Sequence, residues 1–260
     1  MAVTPQMRTQ VTQLYVSLFG RAPEADGLGY WVQQLNAGKS FQSIAQDMFN
    51  VAPARVYYPS FLTNEEIVAK FYVNVLGRTP DAGGLAYWTG RLNTESTTGT
   101  AASKAIAVGT VITEMLTAVV SYTGTDAAAL TSQSLLNNKV AVGLHYAADL
   151  GGNDIAFAST LIPMVSSGAN GADAALAAVD ATNAKSLTNG IDVATANVFN
   201  AVPVYTPGGN DFINSLQDED KLTGTGTNPT LNATLGSVND AAESVIVPTL
   251  KGIETANFNI

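Results

Sequence analysis

Residues 15–36 read YVSLFGRAPEADGLGYWVQQLN, and residues 72–93 read YVNVLGRTPDAGGLAYWTGRLN. At an offset of 57 residues, 12 of the 22 aligned positions are identical: Tyr15/Tyr72, Val16/Val73, Gly20/Gly77, Arg21/Arg78, Pro23/Pro80, Ala25/Ala82, Gly27/Gly84, Leu28/Leu85, Tyr30/Tyr87, Trp31/Trp88, Leu35/Leu92 and Asn36/Asn93. Both tryptophans of the chain fall at one repeat position. A period of this size marks a duplicated supersecondary unit.

Each copy reads as two helices joined by a turn. Thr4 is a cap with Pro5 at the first helical position, and Val11, Leu14, Tyr15 and Leu18 recur at i, i+3, i+4, i+7. Gly20 is the expected left-handed stop. In the second copy Thr63-Asn64-Glu65-Glu66 is a capping box, followed by Ile67, Phe71 and Val75 and a stop at Gly77. Arg-x-Pro-Asp/Glu forms the turn, and a second helix from near Gly27 or Gly84 carries Leu28, Trp31 and Leu35, or Leu85, Trp88 and Leu92. In the first copy Gly38 ends that helix and Ser40 caps a third through Phe41, Ile44 and Met48. Arg21 and Arg78 are expected to pair with a nearby carboxylate or helix C-terminus. The Tyr-Trp pairs have two readings, a packing anchor or a platform for stacking a sugar ring.

Outward from the repeat, residues 101–202 are Ala-rich and predict further helices near 101–121, 126–149, 154–168 and 170–183. The most apolar run, 105–120, contains Thr110, Thr113, Glu114 and Thr117, so it reads as a buried helix and not a membrane span. The pattern changes at Pro203. Residues 203–260 are rich in Pro, Gly, Thr and Asn with short β-forming runs, and 250–258 (LKGIETANF) reads as one rung of a β-solenoid. The expected division is 1–100, 101–202 and 203–260, in a mainly α chain with a β-rich, solenoid-like end. Because a solenoid needs about three stacked units, a single legible rung predicts a chain cut from a longer protein.

Composition removes several chemistries. The 260 residues include no cysteine and one histidine, so a thiolate metal site, a disulfide and a two-histidine zinc site are excluded. A Ser-His-Asp triad would have to use His145, and the sequence shows no triad pattern around it; a satisfied, partly buried histidine is the expectation. Net charge is −9, and Lys and Arg total only 12, which argues against nucleic acid as a partner. Seven cations against seven anions leave residues 1–100 neutral, so the whole net charge falls in 101–260. Asn36-Ala37-Gly38-Lys39-Ser40 ends like a P-loop, but Gln33 stands where the first glycine belongs. The chain reads as non-catalytic. The N-terminus has no basic region followed by an apolar stretch, so no secretory signal peptide is expected.

The tandem pattern Tyr-x4-Gly-Arg-x-Pro-x3-Gly-Leu-x-Tyr-Trp resembles a small helical domain of unassigned function, found in bacterial surface proteins exported by type I secretion. Its placement is similar to the N-terminal region of Gram-negative S-layer proteins. The resemblance implies an extracellular, cell-surface module that anchors an S-layer by binding lipopolysaccharide O-antigen, with Arg21, Tyr30, Trp31, Arg78, Tyr87 and Trp88 as candidate glycan contacts. It also implies other copies of the same protein as partners, through a C-terminal region beyond Ile260. Calcium is the implied cofactor. Gly208-Gly209-Asn210-Asp211 resembles the start of a calcium nonapeptide, and Asn210, Asp211, Asp218 and Asp220 are candidate ligands. A protein–protein assembly or adhesin module is the alternative, and an accessory region of a secreted hydrolase a third.

Overall fold

A computed structural model describes residues 2–96, 100–205, 212–225, 228–236 and 246–260. It divides into two compact units, residues 1–176 and 177–260. The first is helical; the second consists of short, mostly parallel strands.

In the helical unit the expected caps are present. Thr4 accepts from the Met7 backbone N–H (3.3 Å) at the start of α1 (Pro5–Leu14). A π-helical turn, Tyr15–Phe19, follows and is wholly buried. It stops at Gly20, whose φ of 62° is left-handed. Then come α2 (Ala25–Asn36), α3 (Phe41–Asn50, capped by Ser40) and a short α4 (Ala52–Tyr57). The second copy starts with α5 (Asn64–Leu76), opened by the Thr63/Glu66 capping box and closed by Gly77 at φ 68°. Asp81 caps α6 (Ala82–Glu95).

The Ala-rich stretch supplies α7 (Ala101–Val120), α8 (Ala127–Leu144) with a π turn at His145–Asp149, and α9 (Ile155–Leu161). These helices do not form a separate domain. α8 packs on the first helix of each repeat, α1 and α5, while α7 packs on α3 and α6. Ser132 of α8 donates to the Leu76 carbonyl (3.1 Å), and Gly143 lies against Thr12 and Pro23. The expected boundary near residue 100 is therefore not a structural division. The duplicated units cannot cover their own apolar faces, and α7 and α8 do so for both.

α7 is long and apolar enough, by length and composition, to cross a membrane. In the fold Val108, Val111 and Ile112 are buried, and Gly109 lets the α3 backbone approach so closely that a Cβ would lie 2.8 Å from the Gln46 amide nitrogen. α10 (Asp173–Thr182) crosses the division between the units.

Strand structure begins at Ala184, not at residue 203 as the sequence suggested. The nine strands among the described residues are β1 (Ala184–Ser186), β2 (Val193–Ala196), β3 (Val198–Ala201), β4 (Val204–Tyr205), β5 (Phe212–Ile213), β6 (Lys221–Gly224), β7 (Thr230–Thr234), β8 (Thr249–Lys251) and β9 (Thr255–Asn259). One parallel sheet runs β1-β3-β7-β9 and another β2-β6-β8; β4 and β5 form a small antiparallel pair. The pairs β2/β3, β6/β7 and β8/β9 are three stacked rungs. Val193, Lys221 and Thr249 are in register, as are Val198, Thr230 and Thr255.

Side-chain alternation fixes that register. Phe199, Ala201, Leu231 and Ala233 point into the core with Leu187, Leu216 and Leu222. Between them on the other face stand Asn200, Asn232 and Asn257. Asn232 Nδ2 donates to Asn200 Oδ1 (3.2 Å) and Asn257 Nδ2 to Asn232 Oδ1 (2.9 Å), an asparagine ladder across three strands.

Candidate functional site

The motif residues of the two repeats occupy equivalent places but make different bonds. In the first, Tyr15 donates to Glu24 Oε1 (3.1 Å), and Arg21 forms an ion pair with Glu24 Oε2 and donates to the Ala22 carbonyl (3.0 Å). The guanidinium lies over the Tyr15 and Phe19 rings, 5.1 and 5.6 Å from their centroids. The Trp31 side chain is hydrogen-bonded to the Tyr15 hydroxyl. Burial, and then the Glu24 charge, push the Tyr15 hydroxyl pKa up. Burial is the largest single influence on the Glu24 carboxyl and would raise it, but the bonds to Arg21, to its own backbone N–H and to Tyr15, with the Arg21 charge, together hold it below its usual range. Gly27 sits where a Cβ would overlap both the Tyr15 hydroxyl and Glu24 Oε1, which accounts for a glycine at this repeat position.

In the second repeat Asp81 replaces Glu24, and Leu76 replaces Phe19. The carboxylate is one methylene shorter. Its Oδ1 accepts the Gly84 backbone N–H (2.8 Å), capping α6, and Oδ2 stays 3.6 Å from Arg78 Nη1. That backbone bond is the main reason the Asp81 carboxyl is held below its usual range. Arg78 lies 4.9 Å from the Tyr72 ring centroid, and its buried Nε has no acceptor among the described residues. Glu24, by contrast, makes no side-chain cap to α2.

Of the sequence-derived glycan contacts, Arg21 is enclosed at 7% exposure and Arg78 is part-exposed. Trp31 and Trp88 are half-buried against the motif tyrosines. Tyr30 and Tyr87 stand out at 55% and 61% exposure, each edge-on to its tryptophan at 4.9 Å. The Tyr-Trp pairs thus divide their work. The tryptophan anchors the turn and the tyrosine offers a ring to solvent.

A groove that motif reading missed lies beside α1. Gln6, Gln10 and Gln13 line it with Phe41 of α3 and Thr117 and Ser121 of α7, enclosing about 300 Å³. Gln13 is 8% exposed and borders the groove. No charged side chain lines the groove. The spacing Gln6, Gln10, Gln13 is a helical i, i+4, i+7 stripe and was legible in the sequence. What it faces was not.

Of the candidate calcium ligands, Asn210 and Asp211 lie outside the described residues. Asp220 is fully buried; Oδ1 accepts the Asp192 backbone N–H (2.7 Å) and Oδ2 that of Gln217 (2.8 Å). Asp218 Oδ1 accepts the Val247 N–H (2.7 Å). Asp192 does the same for the Thr188 N–H (2.6 Å). The Asp220–Asp192 and Asp218–Val247 bonds tie successive rungs together, while the Asp220–Gln217 and Asp192–Thr188 bonds each close a local turn. Among the described residues no group of three His, Asp or Glu side chains could hold a metal. His145, 5% exposed, pairs with Asp149 (3.2 Å).

Residues 45–108, which hold the second repeat, match the family DUF4214, a domain of unknown function. No curated protein and no solved structure matches the chain.

Proposed function

We infer that this protein is a non-catalytic surface-anchoring module of the S-layer type that binds the O-antigen glycan of lipopolysaccharide at the outer membrane. The observation that carries the reading is the groove beside α1. The Gln6, Gln10 and Gln13 amides, the Thr117 and Ser121 hydroxyls and the Phe41 ring line it without a charge. Vicinal sugar hydroxyls donate to and accept from an amide at once, and the apolar face of a pyranose packs on an aromatic ring. Tyr30 and Tyr87 supply two further exposed rings. The tandem repeat and the solenoid that follows fit the surface-protein resemblance. The dependence on calcium rests on the acidic 101–260 portion and on the Asn210-Asp211 stretch.

The test is retention of the full chain on cells that display O-antigen and on matched cells that lack it, with calcium and with a chelator. Retention only on O-antigen cells, reduced about tenfold by Gln13→Ala as expected for loss of a buried hydrogen-bonding group, is the expected result. Equal retention on both cell types would refute the glycan reading, and equal retention in chelator would remove calcium from it.

One observation favours a second reading, protein–protein assembly. β9 presents five exposed residues, Thr255–Asn259, with no charge and no proline among them. Natural sheet edges are usually protected by such residues. Growth of light scattering in the absence of any polysaccharide, abolished by Asn257→Lys, would favour assembly over glycan binding.

A further inference from the structure

We propose that the second repeat holds a binding pocket for a small organic carboxylate, an acid on a short apolar stem. The first repeat is its internal template. There the place between the arginine and the tyrosine hydroxyl is filled by the Glu24 carboxylate, which takes a bond from Tyr15 and the ion pair from Arg21. In the second repeat the same two donors are present as Tyr72 and Arg78, but the chain's own carboxylate is withdrawn. Asp81 caps α6 with Oδ1 and keeps only a long ion pair to the guanidinium, 3.6 Å from Oδ2. Arg78 is left with a buried Nε lacking an acceptor among the described residues and with two long contacts, to the Thr79 carbonyl at 3.5 Å and to Asp81 Oδ2 at 3.6 Å.

A cleft of about 120 Å³ opens beside these donors, lined by Phe71, Tyr72, Arg78, Trp88, Met115 and Tyr122. A carboxylate at the Glu24-equivalent place would take Arg78 and the Tyr72 hydroxyl as partners in a charge-assisted pair. Its stem would lie on the Phe71 and Met115 side chains, and the small volume selects a free acid of a few carbons or a single ring. A few placed polar groups on an apolar wall is the usual make-up of a small-molecule site. This site is separate from the groove beside α1, and loss of glycan binding would leave it standing.

The experiment uses the full chain with sodium benzoate and sodium hexanoate as probes, and benzamide and hexan-1-ol as uncharged controls. Binding is read from the Arg78 Nε–H resonance and, in a Trp31→Phe background, from Trp88 emission. The two acids are expected to shift both signals saturably and the neutral controls to leave them unchanged. Asp81→Glu restores the carboxylate length of the first repeat; it is expected to keep the fold and weaken the acids about tenfold or more, since the chain then fills its own site. Arg78→Gln is expected to abolish binding. Equal response to acids and neutral analogues, unchanged affinity in Asp81→Glu, or no response to either acid at tens of millimolar would each overturn the proposal.

Discussion

Replacing the second motif glycine, Gly27 or Gly84, by alanine should have unequal consequences in the two repeats. At Gly27 the new methyl group overlaps the Tyr15 hydroxyl and Glu24 Oε1, two atoms bonded to each other and held by Arg21. Separating them loses a hydrogen bond to a charged group, about 1.5–3 kcal/mol. Crowding a packed site adds about 1–3 kcal/mol. The alanine returns about 0.5–1 kcal/mol of helix propensity, so the net cost is about 2–5 kcal/mol. At Gly84 the methyl crowds only the Tyr72 hydroxyl, 2.5 Å away, with the Asp81 oxygens at an ordinary 3.4 Å, and no carboxylate bond to that hydroxyl has to break. There the propensity gain offsets the crowding, and the net change lies within about 1 kcal/mol of zero. Urea and thermal unfolding followed by far-UV circular dichroism measure both. For a unit of this size Gly27→Ala should lower Tm by about 4–20 °C, while Gly84→Ala should move it by a few degrees at most. Equal losses in the two variants would refute the idea that only the first repeat carries a closed network.

Other consequences concern single ionisable groups. Glu24 has a folded-state pKa below its ordinary value of 4.5, so its stabilisation is present above that value and is lost as pH falls through the lower folded one. Glu24→Gln should be less stable than the parent at neutral pH, and the two unfolding curves should converge in acid. Lys139 is buried, donates to the Asn74 carbonyl at 2.6 Å, and is lowered by burial from 10.5 to about 8. The folded state then binds fewer protons than the unfolded one between those values, so stability should rise with pH through that window. Lys139→Met should flatten the rise. Asp220→Ala leaves the Asp192 and Gln217 amides buried without acceptors, at about 1–3 kcal/mol each. Hydrogen exchange should show protection lost at both amides in the solenoid and retained in α7.

The helical repeat was legible because its signals are local. A cap, a left-handed glycine and an i, i+3, i+4 stripe act within a few residues, and Thr4, Ser40, Thr63, Gly20 and Gly77 do in the fold what their chemistry predicts. The solenoid was legible only in its last rung. The earlier rungs at 193–201 and 221–234 share only short strings with 249–259, such as Leu222-x-Gly224 with Leu250-x-Gly252 and Thr195-Ala196-Asn197 with Thr255-Ala256-Asn257, too brief to mark a repeat by themselves. Their likeness lies in alternation and stacking, as in Phe199 above Leu231 and Asn200 bonded to Asn232. Ala, Thr and Asn in 184–201 fit a helix or a strand, and neighbouring strands decide between them.

By itself the sequence determined that the chain carries a duplicated helix–turn–helix unit, followed by β structure, without the residues for thiolate or two-histidine metal chemistry. It also showed that Glu24 and Asp81 occupy one repeat position. Only the tertiary structure decided what that methylene does. Glu24 reaches the guanidinium and closes the first site, and Asp81 turns to the helix N-terminus and leaves Arg78 beside an open cleft. The physical reason is reach. A carboxylate one bond shorter caps the helix and holds the guanidinium only at 3.6 Å, and that balance depends on distances that strings of residues do not carry.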